Sequence, residues 1–253
     1  MPKRISASLF HLLISFLLVV AIVTFVIFLW YPGNYFSAMG VQNVLFVLAA
    51  VDITIGPLIT LIIFNPAKKS LKIDLAIVAA LQLTALLYGV HTIFSGRPVY
   101  MVYNVDMFTV VSAADIPDAE LVQAVKNTLP MTGPLIVGAR LPDDPAGRKK
   151  ILFSSLNGGP DLPQMPQFYL PYQDVAADVK ARLLSIETLN KRIAKDKLTD
   201  GAQKISVALS KANLKMAEVG FVPVRGKSSD LTMMVRLADA SIVELLPIDP
   251  WGQ

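Results

Sequence analysis

Residues 41–64 read VQNVLFVLAAVDITIGPLITLIIF, and Asp52 is the one ionisable side chain among them. An apolar run of about 17–25 residues is long enough to cross a hydrocarbon core of about 30 Å as a helix. Val41 to Phe64 therefore predicts a membrane span. Two further runs of the same character flank it, from about Leu9 to Trp30 and from about Ile73 to Phe94. Tyr31-Pro32-Gly33-Asn34 and Asn65-Pro66-Ala67-Lys68-Lys69 separate the three, and Ser95-Gly96-Arg97-Pro98 closes the last. Pro and Gly end helices and Asn favours turns, so these are the expected boundaries.

The charges divide the chain at the same place. Of 23 Lys and Arg and 19 Asp and Glu in 253 residues, only Lys3, Arg4, Asp52, Lys68, Lys69, Lys72 and Asp74 precede residue 97. The mean hydropathy of +0.55 averages two different solvents. The expected fold is a three-helix transmembrane bundle over residues 1–96 followed by a soluble α+β domain over 97–253. The pI of 9.2 does not signal a nucleic-acid partner. The outer domain is nearly neutral, and the basic excess sits beside the spans, where it reports topology.

Composition also excludes chemistry. Without cysteine there is no disulfide, thiol nucleophile, cysteine zinc site or iron–sulfur cluster. His11 and His91 are the only histidines, and both lie in apolar runs. There is no HExxH motif, and no histidine follows residue 91 to build a Ser–His centre. Gly158-Gly159-Pro160 lacks the length and the lysine of a phosphate loop. We expect no catalytic residues, no metal and no cofactor, and so no enzyme.

Lys and Arg in short loops set orientation. The tail before the first span carries two, loop 31–40 none, and loop 65–72 three. The expected arrangement is a cytoplasmic N terminus with residues 97–253 on the far side of an inner membrane. The first apolar run, about 22 residues against about 7–15 in a cleaved signal core, reads as an uncleaved anchor. Trp30, Tyr31 and Tyr35 are expected at the outer interface, where amphipathic rings settle.

Asp52 stands about 16 Å from the outer end of its span at 1.5 Å per residue, near the bilayer midplane. An Asp there costs about 2.5 to 3.5 kcal/mol on insertion scales, which calls for a partner. Gln82, about 18 Å from the outer end of the third span, matches it in depth. Three readings fit: a structural hydrogen bond from Gln82, a groove where Asp52 meets a partner's helix, or ion conduction. Conduction lacks the chain of further titratable groups that a relay needs. Gly56-Pro57 lies one turn on; Pro clashes with the carbonyl four residues back, so a kink is expected, with Thr54 or Thr60 satisfying freed backbone groups. Asp74 suits the positive start of the third helix. His11 and His91 read as snorkelling side chains near the two faces.

Beyond residue 97, Val99–Val111 is β-branched and aromatic with Asn104-Val105-Asp106 as a tight turn, which predicts a hairpin. Helices are expected from Pro117 to about Thr128, after Pro142-Asp143-Asp144-Pro145 as far as Gly158, from Gln173 to about Ala194, and from Asp200 to about Asn213. Strands are expected at Leu135–Arg140 and, as an antiparallel meander, at Gly220–Arg225, Leu231–Leu237 and Ile242–Leu246. Phe168-Tyr169-Leu170-Pro171-Tyr172 reads as core or as a docking face, and Lys191-Arg192 through Lys197 as a solvated helix face.

The membrane half also carries a recognisable order of words: Trp30-Tyr31-Pro32, Ala50-Val51-Asp52-Ile53-Thr54-Ile55-Gly56-Pro57-Leu58, Lys69–Ala76, Gln82-Leu83, Leu87-Tyr88-Gly89, and Gly96-Arg97-Pro98-Val99-Tyr100 running into Asn104-Val105-Asp106. Val137–Asp143 and Gly158-Gly159-Pro160-Asp161 continue it. In this order and spacing the chain resembles the TfpX/TfpZ type of type IV pilin accessory protein of Gram-negative bacteria. The resemblance implies an inner-membrane, chaperone-like helper that affects the stability of the pilin subunit or its entry into the fibre; it supplies no catalytic residues. The partners expected are the membrane and a type IV pilin, with Asp52, Gly56, Pro57, Gln82 and Asp74 as the intramembrane polar and kink positions. A membrane-anchored sensory protein is the alternative, weakened by inner loops too short for an output module. A membrane enzyme ranks third.

Overall fold

The computed structural model describes residues 2–124, 128–193 and 197–252. The chain forms two compact units: Met1–Phe36 with Gly40–Gly96, and Ser37–Met39 with Arg97–Gln253.

The first unit holds three helices long and apolar enough to cross a membrane: Lys3–Trp30, Val41–Ile63 and Leu71–Ser95. They begin or end a few residues away from the apolar runs, because backbone hydrogen bonding rather than hydropathy ends a helix. The first consists of α1 (Pro2–Phe25) and a π-helical turn, Val26–Trp30. A single short turn, α2 (Tyr35–Ala38), follows. The second span is α3 (Val41–Ala50), a π-helical turn Val51–Ile55, and α4 (Gly56–Ile63). The third is α5 (Leu71–Ser95).

Each span buries one face, at steps that are multiples or near-multiples of a helical turn. Ser15, Val19 and Val26 face inward from the first span; Val41, Leu45, Leu48, Asp52, Gly56 and Thr60 from the second; Val78, Leu86 and Ile93 from the third. Tyr31 follows directly on the end of the first span and is packed inside the unit. It is 2 % exposed and donates its hydroxyl to the Ile93 carbonyl at 2.7 Å, which ties the first connection to α5.

The second unit is built on one seven-stranded sheet, ordered β4-β3-β1-β2-β5-β6-β7. β1 (Pro98–Asn104) and β2 (Met107–Ser112) form the expected hairpin, with Val105 at φ 58 in its turn. α6 (Asp118–Leu121) is shorter than expected; its predicted continuation toward Thr128 runs into residues 125–127, outside the described residues. β3 (Leu135–Ala139) is followed by α7 (Pro145–Leu156), capped by Asp144, whose carboxylate accepts from the Gly147 amide at 2.9 Å. β4 (Tyr169–Pro171) falls in the aromatic segment. The predicted helix from Gln173 is two helices, α8 (Tyr172–Ala181) and α9 (Ile186–Arg192), and its expected end at Ala194 lies outside the described residues. α10 (Leu198–Ala212) precedes the meander β5 (Val219–Arg225), β6 (Leu231–Arg236) and β7 (Ile242–Leu246).

The meander pairs antiparallel, as the turns between its strands dictate. The sheet as a whole is mixed: β1 with β3 and β2 with β5 run parallel. Parallel neighbours need long crossovers, here the segments carrying α6 and α7 to α10. β1, β5 and β6 are central and almost wholly buried, which is why they read as continuous apolar runs. Two clusters fill the faces, one around Val102, Val111, Ile151 and Met165, the other around Leu189, Ile205, Phe221 and Met234. Within this unit the carbonyl of Ala38 accepts the amides of Lys227 at 2.9 Å and Ser228 at 2.8 Å.

Candidate functional site

The polar residues of the spanning unit converge. Asp52 is 4 % exposed and lies inside the π-helical turn that precedes Pro57. A π-turn admits an extra residue, so the helix relieves the proline clash upstream. Thr54 donates to the Ala50 carbonyl, four residues back. Gly56 lies under the side chain of Gln82: a Cβ added at Gly56 would fall 1.9 Å from Gln82 Nε2. Glycine here lets α5 approach the second span.

The first span contributes a polar stripe that was not singled out in the sequence. Ser8 donates to the Pro57 carbonyl at 2.8 Å, and His11 Nδ1 lies 2.6 Å from Thr60 Oγ1. Ser15 is buried on the same face. His11 is thus a member of the bundle's interior seam, not a snorkelling side chain. The spacing of Ser8, His11 and Ser15, three and four apart, was the available signal.

Of the three readings of Asp52, the hydrogen bond from Gln82 is not formed among the described residues. Asp52 Oδ2 and Gln82 Oε1 are both buried without a hydrogen-bond partner. His11 acts on Asp52 electrostatically. Asp74 stands apart, in the first turn of α5, where it is ion-paired with Lys68 across the connecting loop. His91 is exposed on α5.

Beside Asp52 the second and third spans part to leave a groove of about 510 Å³. It runs from Asn43 and Thr92 at one end to Asp52 and Ala85 at the other, with Leu48, Leu86 and Gly89 along it. Gly56, Pro57 and Gln82 do not line it. They belong to the packed side of the seam.

The second unit offers a cleft lined in part by arginines. A cleft at the carboxyl ends of β1 and β3 is lined by Tyr103, Arg140, Arg148, Asp178 and Arg182. Arg140 pairs with Asp178 at 2.8 Å and Arg148 with Asp143 at 3.8 Å, both in solvent-exposed positions. The aromatic segment is packed into the domain: Tyr169 meets Tyr100 with ring centres 4.9 Å apart, and the Tyr172 hydroxyl donates to the Ala240 carbonyl at 2.7 Å.

Fold and site together define a three-span membrane protein whose bundle carries an interior polar seam and a half-open groove, joined in sequence to a soluble domain with a mixed sheet. The chain belongs to the family of fimbrial assembly proteins. It is 30% identical over 244 residues to the fimbrial assembly protein of serogroup E1 from Dichelobacter nodosus, covering 94% of this chain and 93% of that one. It is 29% identical to the serogroup I protein of the same organism, over the same shares. The protein of serogroups C1 and C2 is 35% identical over 116 residues, 45% of this chain and 88% of that relative. No family model and no solved structure matches the chain.

Proposed function

We propose that this protein is an inner-membrane helper of type IV pilin that binds the pilin subunit and promotes its stability or its assembly into the fibre, without catalysing a reaction. Its N terminus faces the cytoplasm and its soluble domain the periplasm. Support comes from relatives named for fimbrial assembly along nearly the whole chain and from basic residues confined to the tail and the second loop.

The observation that carries the reading is Asp52, buried in a spanning helix with Oδ2 unpartnered. An intramembrane acid with one oxygen left without a hydrogen-bond partner by its own bundle suits a protein that completes itself with another helix. Replacing Asp52 by Asn tests this. Pilin recovered with the affinity-tagged protein should fall several-fold while the amount of the protein in the membrane stays near wild type. Equal losses in both would make Asp52 a purely structural residue.

A further inference from the structure

The groove beside Asp52 allows the partner's chemistry to be specified. From Asn43 to Asp52 it extends about 14 Å along the second span, at 1.5 Å per residue. That is about two and a half helical turns. Its middle is apolar, floored by Leu48 and Leu86 and rimmed by Val47, which is 62 % exposed. Gly89 keeps the floor low: a Cβ there would come within 2.5 Å of Leu48 Cδ1. Among the described residues, the charged side chain that lines it is Asp52, at its inner end, whose Oδ2 is buried and has no hydrogen-bond partner. His11, which acts on Asp52 electrostatically, is engaged with Thr60 and is not among the groove's lining residues.

We propose that this groove seats a single apolar transmembrane helix of the client, and that the helix presents an ammonium group, on a lysine or at a free chain end, to Asp52. This rests on the reading of the protein as a pilin helper and names the surface and the chemistry by which it takes hold. The argument is charge complementarity. A carboxylate and an ammonium are each expensive alone in hydrocarbon, and each offsets the other when they meet. A hydrogen bond between charged partners is also about twice as strong as a neutral one. Apolar walls alone give little preference for a helix over lipid tails, so the pair supplies the selectivity. Gly56, Pro57 and Gln82 serve this site only by holding the spans together behind it.

The absence of native cysteine permits a clean test. Single cysteines at Val47 and Ala85, in the groove, and at Phe46 and Leu83, facing outward, are labelled with a benzophenone maleimide. The full-length protein is then irradiated in membranes of cells making type IV pilin. The expected result is pilin cross-linked from positions 47 and 85 at roughly tenfold or more the yield from 46 and 83. Asp52→Asn and Asp52→Leu should each cut the groove cross-link roughly tenfold, and Gly89→Leu, which fills the groove without touching the acid, should do the same. Asp52→Lys should abolish the cross-link, and exchanging the client's amine for Glu should restore it. Equal yields from all four positions, or capture from 46 and 83 alone, would overturn the groove while leaving pilin binding standing. A groove cross-link indifferent to Asp52 would overturn the ammonium. Failure of pilin to co-purify with the wild-type protein would remove the pilin reading itself. Each variant's abundance in the membrane, measured in parallel, separates loss of binding from loss of the protein.

Discussion

Tyr103 shows how much a single side chain can hold in the soluble domain. It is 2 % exposed, and its hydroxyl lies 3.2 Å from the carbonyls of both Val105 and Asp178, which share its one proton. Burial pushes its phenol up to about 12, with Asp178, Asp106 and Tyr172 adding to the rise and Arg182 opposing it. The unfolded chain ionises near 10.0, so it releases this proton first as pH rises. The stabilisation is therefore complete below the unfolded value and is lost as pH climbs from about 10 to about 12. Two pH units correspond to about 2 to 3 kcal/mol. Chemical unfolding followed across that window should show the decline, and Tyr103→Phe should lessen it, leaving the share of Tyr100, Tyr169 and Tyr172, which burial raises as well.

At the scale of elements, packing explains what local pattern does not. Gly138 in β3 lies directly beneath Val175 of α8: an added Cβ would meet Val175 Cγ1 at 2.4 Å, Cγ2 at 2.5 Å and Cβ at 3.0 Å. A β-branched side chain cannot rotate all three atoms away. Gly138→Ala should cost about 1–3 kcal/mol in thermal or urea unfolding, with part recovered when Val175→Ala is added. The hairpin, the meander and the three spans were legible because each declares itself within its own residues. The break between α8 and α9 was not. Apolar residues at steps of three and four continue through it, so the periodicity reads as one helix. What interrupts that helix is distant: Leu184 forms a bridge with Phe221, and Ser185 then caps α9 by accepting from the Thr188 amide. The two parallel pairings were hidden for the same reason. In the membrane unit Asp52 was visible as a lone charge in an apolar run. Its companions Ser8, His11 and Thr60 were harder to see, because small polar residues are common in spans and only the facing helix shows which are used. The place of Gln82, over Gly56 rather than bonded to Asp52, depends on helix rotation, which depth along a span does not set.

For the molecule as a whole, three crossings put loop 31–40 and everything beyond Gly96 on the same face. The unequal distribution of Lys and Arg between the loops is the ground on which we propose that this face is the periplasmic one. Alkaline phosphatase fused to the carboxyl end should be active and a fluorescent protein at the same place dark, with the pattern reversed for fusions within loop 65–72. A fluorescent carboxyl-terminal fusion would remove the periplasmic assignment and, with it, the pilin head as something the soluble domain can meet. The two lines of support are separable, since an inverted topology would leave the membrane groove and its acid intact.

The join at the middle of the sheet has a consequence for how the protein is made. Phe108 and Thr109 of β2 take Val224 and Arg225 of β5 as neighbours, so one edge of the first hairpin stays bare while the ribosome delivers every helix in between. An unpaired edge invites pairing with other chains, and contacts this far apart in sequence form slowly. Nascent domains stalled or clipped before residue 219 would carry that raw edge into a crowded compartment. The last few dozen residues, whose arrival seals the sheet, therefore decide how long that edge stays open.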